Sequence, residues 1–284
     1  MFAEVPWLWA GLAAYGIATY YAFQGVAQYR DAASGLLVKE LYSEAGEKRV
    51  LFFLVFGVVL LTICMTVRWL RIDHGPFVDL FELLISQIWS LGLIYAVSYW
   101  LFPLLRPTAV IVLPMLWIMG IWVLTLEVTS IPNPPTYFND WKWAHVGFGK
   151  FFLAFCLIGT GLAGLIFARM HPYFARFFLF MPEDKVLDNY AWRFMLLAFV
   201  FESLMLIAGA VWAQDAWGRY WAWDALETSA FLNWLVLGAA IHARFTYNIS
   251  IRAGAIAIVS VFIFAFITYF GIPFYSGAAH KGVI

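Results

Sequence analysis

The chain has 284 residues, 64% of them hydrophobic and only 12% charged, with a mean hydropathy of +0.83. Soluble domains carry about 25% charged residues, so this composition belongs to an integral membrane protein in contact with the lipid bilayer. Lys and Arg number 17 and so do Asp and Glu, which removes any electrostatic case for a nucleic-acid partner, and two isolated cysteines, Cys64 and Cys156, form neither a disulfide framework nor a C-x-x-C-H haem-attachment sequence.

A spanning helix needs ~20 apolar residues. The apolar runs predict eight of them, at roughly 5–27, 50–68, 78–102, 108–128, 147–169, 190–212, 229–247 and 253–272. The expected fold class is all-α: a polytopic membrane helix bundle of about eight transmembrane helices, in one integral domain over 1–284. Met1-Phe-Ala-Glu4 lacks the positive region of a signal peptide, so the first run reads as a span. The most polar connector, 28–49, carries Arg30, Lys39, Lys48 and Arg49 and suits a short surface helix. His74-Gly-Pro76 introduces the third span, where Pro fits a helix start. Ile131-Pro-Asn-Pro-Pro135 is a rigid loop, because consecutive prolines cannot continue a helix. Gly159-Thr-Gly-Leu-Ala-Gly164 has the spacing of a dinucleotide fingerprint, but no strand precedes it, and small residues in an apolar helix serve close helix approach instead. Glu202 falls in mid-span and needs a partner that the sequence does not name. Eight spans place 11 of the 17 basic residues on one side and 6 on the other. The richer side is cytoplasmic by the positive-inside rule, so both termini and the loop after the sixth span are outside.

That loop is the densest in rings. Trp212, Trp217, Tyr220, Trp221 and Trp223 crowd together, with Trp234 beyond and Asp215, Arg219, Asp224 and Glu227 between them. Rings with polar edges suit a membrane–water interface; they also suit a flat, apolar, partly charged ligand. His145 opens the fifth span and His280 follows the last, both on the side of this loop. Two imidazoles there either bond water at the interface or supply both axial ligands of a haem iron. His242 lies near the cytoplasmic end of the seventh span, where an ionisable group is either bonded to a helix carbonyl or functional. His171 precedes Pro172 in a connector and reads as a surface residue.

The stretch Trp217-Gly-Arg-Tyr-Trp-Ala-Trp-Asp-Ala-Leu-Glu-Thr228 resembles the WWD motif of haem-handling membrane proteins, in the form W-G-x-Y-W-x-W-D-P-K-E-T of the CcsA/ResC cytochrome c synthases. Ala225 and Leu226 stand where that family has Pro-Lys, which removes a cation and a rigid turn and leaves Arg219 as the nearby positive charge. Trp143-Ala-His145-Val146 resembles the family's W-x-x-H-V, Ile241-His242-Ala-Arg244 its L-H-T-R, and Ser276-Gly-Ala-Ala-His280-Lys-Gly282 its S-G-L-H-S-x-G. His74-Gly-Pro-Phe-Val-Asp79-Leu-Phe-Glu82 is similar to its H-x-P-x-x-N-x-x-E, with Asp79 for Asn and a structural role expected for Glu82. The likeness runs from about Arg68 to His280.

The resemblance implies haem transport, presentation and covalent attachment to apocytochrome c, by a cytochrome c haem lyase (synthase) subunit acting with a CcsB/ResB-type membrane partner. Haem b is then substrate and bound ligand. An outer haem contacts the WWD loop, about 212–228, through Trp217, Arg219, Tyr220, Trp221, Trp223, Asp224 and Glu227, with its iron between His145 and His280. His242 ligates an inner haem iron, the second nitrogen coming from the partner. The implied setting is the bacterial cytoplasmic (inner) membrane, with the thylakoid membrane as the second. Three other readings stay open: a CcmC-type subunit exporting haem to a chaperone, a non-catalytic accessory protein, and a b-type respiratory subunit.

Overall fold

Inside hydrocarbon, backbone amides have no water to bond, so an apolar chain satisfies them within helices. The computed structural model contains no strand among the described residues, which are 2–31, 36–75, 77–129, 132–175, 177–178 and 181–272, with the backbone alone for 27–31 and 36–43. Pro76, Ile131, Arg176, His280 and Lys281 lie outside them. In chain order the helices are α1 (Val5–Asp31), α2 (Leu36–Ile72), α3 (Leu80–Leu101), α4 (Ala109–Val123, entered through a 3-10 turn at Pro103–Thr108), α5 (Asp140–Met170), the single turn α6 (Pro172–Ala175), α7 (Asp184–Trp217), α8 (Ala225–Thr246) and α9 (Ile251–Phe266), which runs on into a π-helical turn at Ile267–Gly271.

Among the described residues, eight of these helices overlap the eight apolar runs. Six segments among the described residues are long and apolar enough to cross a membrane: Glu44–Ile72, Leu80–Leu101, Pro103–Val123, Asp140–Met170, Asp184–Trp217 and Ile251–Gly271. α1 and α8 have the length, at 27 and 22 residues. They are diluted by Trp, Tyr and Gly in α1 and by Asn233, His242 and Arg244 in α8. Several helices are longer than expected. α2 takes up much of the connector assigned to 28–49. α5 and α7, at 31 and 34 residues, measure roughly 46 and 51 Å at 1.5 Å per residue, against ~30 Å of hydrocarbon. Apolarity marks where a helix meets lipid; good helix formers such as Lys, Glu and Leu carry the same helix on past it.

α5 is the central member, packed along α7 and against α3, α4 and α9. Its glycine run is the contact surface. A Cβ on Gly159 would sit 2.9 Å from Met195 Sδ of α7, on Gly161 2.8 Å from Val112 Cγ2 of α4, and on Gly164 2.6 Å from Ile111 Cδ1 of α4. Backbone proximity, not phosphate binding, accounts for that motif.

At the end of the bundle that carries the tryptophan-rich loop, Arg68 closes the structure. Its side chain is 1% exposed, yet it is charged. Nε and Nη2 donate to Glu82 Oε1 at 2.8 and 2.7 Å, Nη2 to Asp79 Oδ2 at 3.0 Å and to the Thr129 carbonyl at 2.7 Å, and Nη1 to Glu4 Oε1 at 3.2 Å. Arg71 also bonds Glu4. Asp79 caps α3 by accepting from Glu82 N at 2.8 Å, while Glu82 Oε2 accepts from Val78 N at 2.8 Å. One guanidinium thus ties the approach to α1, the end of α2, the start of α3 and the loop after α4. Burial pushes the Glu4 carboxyl up, but the bond from Arg71 and the charges of Arg71 and Arg68 outweigh it and hold it below its usual 4.5. What Glu4 contributes to stability is therefore present above that value and lost as pH falls through the lowered one.

Arg68→Leu strips the cation from three buried carboxylates. The expected cost is roughly 3–5 kcal/mol, read as a fall in the Tm of the purified protein, with Arg68→Lys intermediate because it keeps the charge and loses the fork. A wild-type Tm for Arg68→Leu would show that the carboxyls are neutral there.

Candidate functional site

α7 ends at the tryptophan-rich loop. Gly218 stops it with φ +72°, and its N–H donates to the Gln214 carbonyl at 2.9 Å. Asp224 starts α8 by accepting from Glu227 N at 2.8 Å, and Glu227 Oε2 accepts from Ala222 N at 2.6 Å. Both acids of the motif therefore hold the loop backbone. This is the capping logic of an Asp three residues before a Glu. Ala225 occupies the first position of the helix, where the loss of a rigid Pro is covered by those bonds.

The rings divide into two groups. Trp217 packs behind the loop, 5.2 Å from Trp212, which lies 5.6 Å from Tyr137 and donates Nε1 to the Thr136 carbonyl at 2.9 Å. Val78, Tyr137 and Trp212 form a small core of their own. Trp221 and Trp223 turn the other way. They meet edge to face at 5.7 Å, and both meet Phe231 at 6.2 and 6.4 Å. Phe231 stacks on Trp234 at 5.9 Å and Trp234 on Phe199 at 5.3 Å, so rings run from the loop down the α8–α7 surface into the apolar zone. Tyr220 and Trp223 are 61% and 69% exposed, and Arg219 is exposed beside them. Trp223 holds φ +58°, left-handed for an aromatic residue.

His145 lies five residues into α5 and faces α7. Its Nδ1 is 2.9 Å from the Met205 carbonyl. A carbonyl only accepts, so Nδ1 carries the hydrogen and Nε2 the lone pair; a metal-ligating histidine is oriented in just this way. The ring rests 5.8 Å from Trp212 and against bare backbone at Gly209, where a Cβ would come within 2.6 Å of Nδ1. His145, Trp212, Tyr220, Trp221, Glu227 and Tyr269 together line a cavity of about 100 Å³. Pockets for drug-sized ligands measure about 300–1,000 Å³. The cavity is smaller than that, and Tyr220, which lines it, is exposed. The Nε1 of Trp221 is buried without a hydrogen-bond partner.

The structure thus brings His145, Tyr220, Trp221 and Glu227 to one cavity, leaves Trp223 and Arg219 exposed on the loop outside its lining, and puts Trp217 in support. His280 lies outside the described residues. His242 is exposed on α8 at the opposite end of the bundle, its ring 6.1 Å from Tyr247. His74 Nδ1 is 3.0 Å from the Gly75 carbonyl, and His171 Nδ1 accepts from Tyr173 N at 3.3 Å; neither approaches the cavity. The Met205 carbonyl, Gly209 and Tyr269 had no visible signal in the sequence.

A sequence-family profile described as "Cytochrome C assembly protein" matches residues 77–280. The chain belongs to the cytochrome c assembly protein family. Relatives named cytochrome c biogenesis protein CcsA include that of Cuscuta reflexa, 27% identical over 262 residues covering 83% of both chains. Those of Panax ginseng and Guillardia theta are each 29% identical, covering 84% and 80% of this chain and 86% and 83% of theirs. Among solved structures, the fold is similar to cytochrome c heme lyase CcmF, with a TM-score of 0.62 at 15% identity over 92% of this chain. This chain spans 46% of the CcmF chain, so the likeness is one of fold. The matched residues take in α3 to α9, the tryptophan-rich loop, His145 and His280.

Asp224→Ala removes the α8 cap of this family member. The expected loss is about 1 kcal/mol of local stability, measured as faster hydrogen exchange of the amides from Ala225 to Glu227 with the exchange of α5 unchanged. Equal exchange in the variant would show that the loop is held by its rings alone.

Proposed function

We propose that this protein acts in cytochrome c biogenesis, presenting haem to an apocytochrome c for covalent attachment, as a CcsA-like synthase subunit. The observation that carries the reading is the His145 geometry: an imidazole fixed by the Met205 carbonyl and Gly209 that lines one cavity with Trp221. Haem b is the substrate. Its iron is held by His145 and His280, its ring edge lies against Trp221 and Trp223, and the exposed Arg219 faces its carboxylates. Each cysteine thiol of the apocytochrome adds across a haem vinyl group, the sulfur bonding one carbon and the hydrogen going to the other. The protein supplies orientation and exclusion of competing ligands from the iron. No side chain at the cavity is placed as a general base.

The run of rings from Trp223 to Phe199 supports arrival of haem from the bilayer. His242 is the proposed ligand of an inner haem. A span crosses ~30 Å of hydrocarbon, so the histidines at the loop end cannot give that iron its second nitrogen. A CcsB/ResB-type partner supplies it, and the exposed position of His242 leaves room for such a contact. The charge asymmetry of the loops supports a loop facing outward from a bacterial inner membrane, with the thylakoid lumen as the equivalent setting, and one integral domain. A CcmC-type exporter is the second reading; the His at the far end of α8 favours the synthase.

His145→Gly and His280→Gly are each expected to abolish maturation of a reporter c-type cytochrome, with partial rescue by exogenous imidazole. Gly209→Ala, which crowds the His145 ring, is expected to lower haem retention roughly 10–100-fold, as loss of an outer-shell contact does. Normal maturation in both glycine variants would reject the site. For sidedness, Ala216→Cys in a variant lacking Cys64 and Cys156 is expected to label in intact cells; labelling only after lysis would reverse the topology.

A further inference from the structure

Glu202 has no exposed surface and lies in the middle of α7. Asn233 of α8 donates Nδ2 to its Oε1 at 2.7 Å. Cys156 of α5 and Tyr269 of the π turn are its other polar neighbours. None of these is a cation, and among the described residues no Lys, Arg or His forms an ion pair with it. An unpaired carboxylate in so dry a place costs several kcal/mol, and such a group neutralises instead.

The surrounding hydrogen bonds are incomplete. Glu202 Oε2, Asn233 Oδ1 and the Tyr269 hydroxyl are each buried with no partner, and the hydroxyl neighbours the carboxyl without closing a bond of normal length. Three open polar atoms around one acid call for an account. A protonated carboxyl gives the cluster a donor that the carboxylate lacks. A water with two to four polar partners fills the rest. Tyr269 belongs to the π turn that ends α9, and it both neighbours the acid and lines the cavity.

We propose that Glu202, Asn233 and Tyr269 form an intramembrane proton-binding site beneath the tryptophan-rich cavity. Glu202 is its neutral acid, a water occupies the open hydrogen bonds, and the Tyr269 hydroxyl is the point of exchange with the cavity. In exchange the hydroxyl accepts a proton from one side and releases its own to the other, so nothing is oxidised or reduced. A ligand carrying positive charge into the cavity stabilises the carboxylate, so the acid's proton leaves through the Tyr269 hydroxyl to water in the cavity; a negative one meets a neutral carboxyl rather than a charge. This holds for any ligand and does not rest on the haem reading.

The test is infrared spectroscopy of the ligand-free protein in lipid, labelled with 13C-glutamate. Wild type should show the C=O band of a protonated glutamic acid at neutral pH. Glu202→Gln should lose the band while keeping the Asn233 bond. Asn233→Ala should shift its frequency, because Oε1 loses its donor. Tyr269→Phe should keep the band and slow its response to D2O several-fold. A wild-type spectrum without a protonated glutamic band, or a band that survives Glu202→Gln, overturns the site. An unchanged D2O response in Tyr269→Phe overturns the exchange route. If Glu202→Gln does not accumulate, the wild-type spectrum and the Asn233→Ala shift decide the assignment.

Discussion

A guanidinium keeps its charge even when shut away from water, so burying one demands carboxylates around it. Arg68 is enclosed from three sides, by Glu4, Asp79 and Glu82. The constraint travels. Glu82 bonds Arg68 with one oxygen and the Val78 amide with the other. Val78 packs with Tyr137 and Trp212. Trp212 in turn backs the His145 ring. A chain of direct contacts therefore joins an ion cluster between the first three helices to an imidazole on the fifth. The half of the protein that holds the cavity takes its alignment from the half that does not.

The loop itself shows a division of labour between its charges and its rings. Asp224 and Glu227 are engaged with backbone amides, so the carboxylates of the motif set the shape of the turn. That leaves Trp221 and Trp223, braced edge-on by Phe231, as the surface on offer. A motif read as one binding unit is two units: a capped turn, and the aromatic faces that it carries.

Helix positions were legible because apolar runs of span length have few other structures open to them in lipid. Helix ends were not, since the first turns of α2, α5 and α7 mix charged with apolar residues and carry no Gly or Pro to mark a break at the hydrocarbon boundary. The motif was legible as a motif, but the inward role of Trp217 was hidden, because it depends on Trp212 and Tyr137, a contact between residues far apart in the chain. Arg68 gave only a faint signal: an arginine ending an apolar run, followed by an acid-bearing segment at Asp79 and Glu82. The partner of Glu202 was beyond reach, since Asn233 lies on another helix and no local pattern links the two.

Trp223 leaves a consequence of a different kind. A bulky L-residue at φ +58° occupies backbone space that glycine enters without penalty, and the difference is of order 1–3 kcal/mol. Evolution for thermal robustness alone would drift toward glycine at this position. A laboratory screen that selects only for yield or heat resistance is therefore biased toward discarding this ring, and would improve the protein as a material while stripping an exposed aromatic face from its loop.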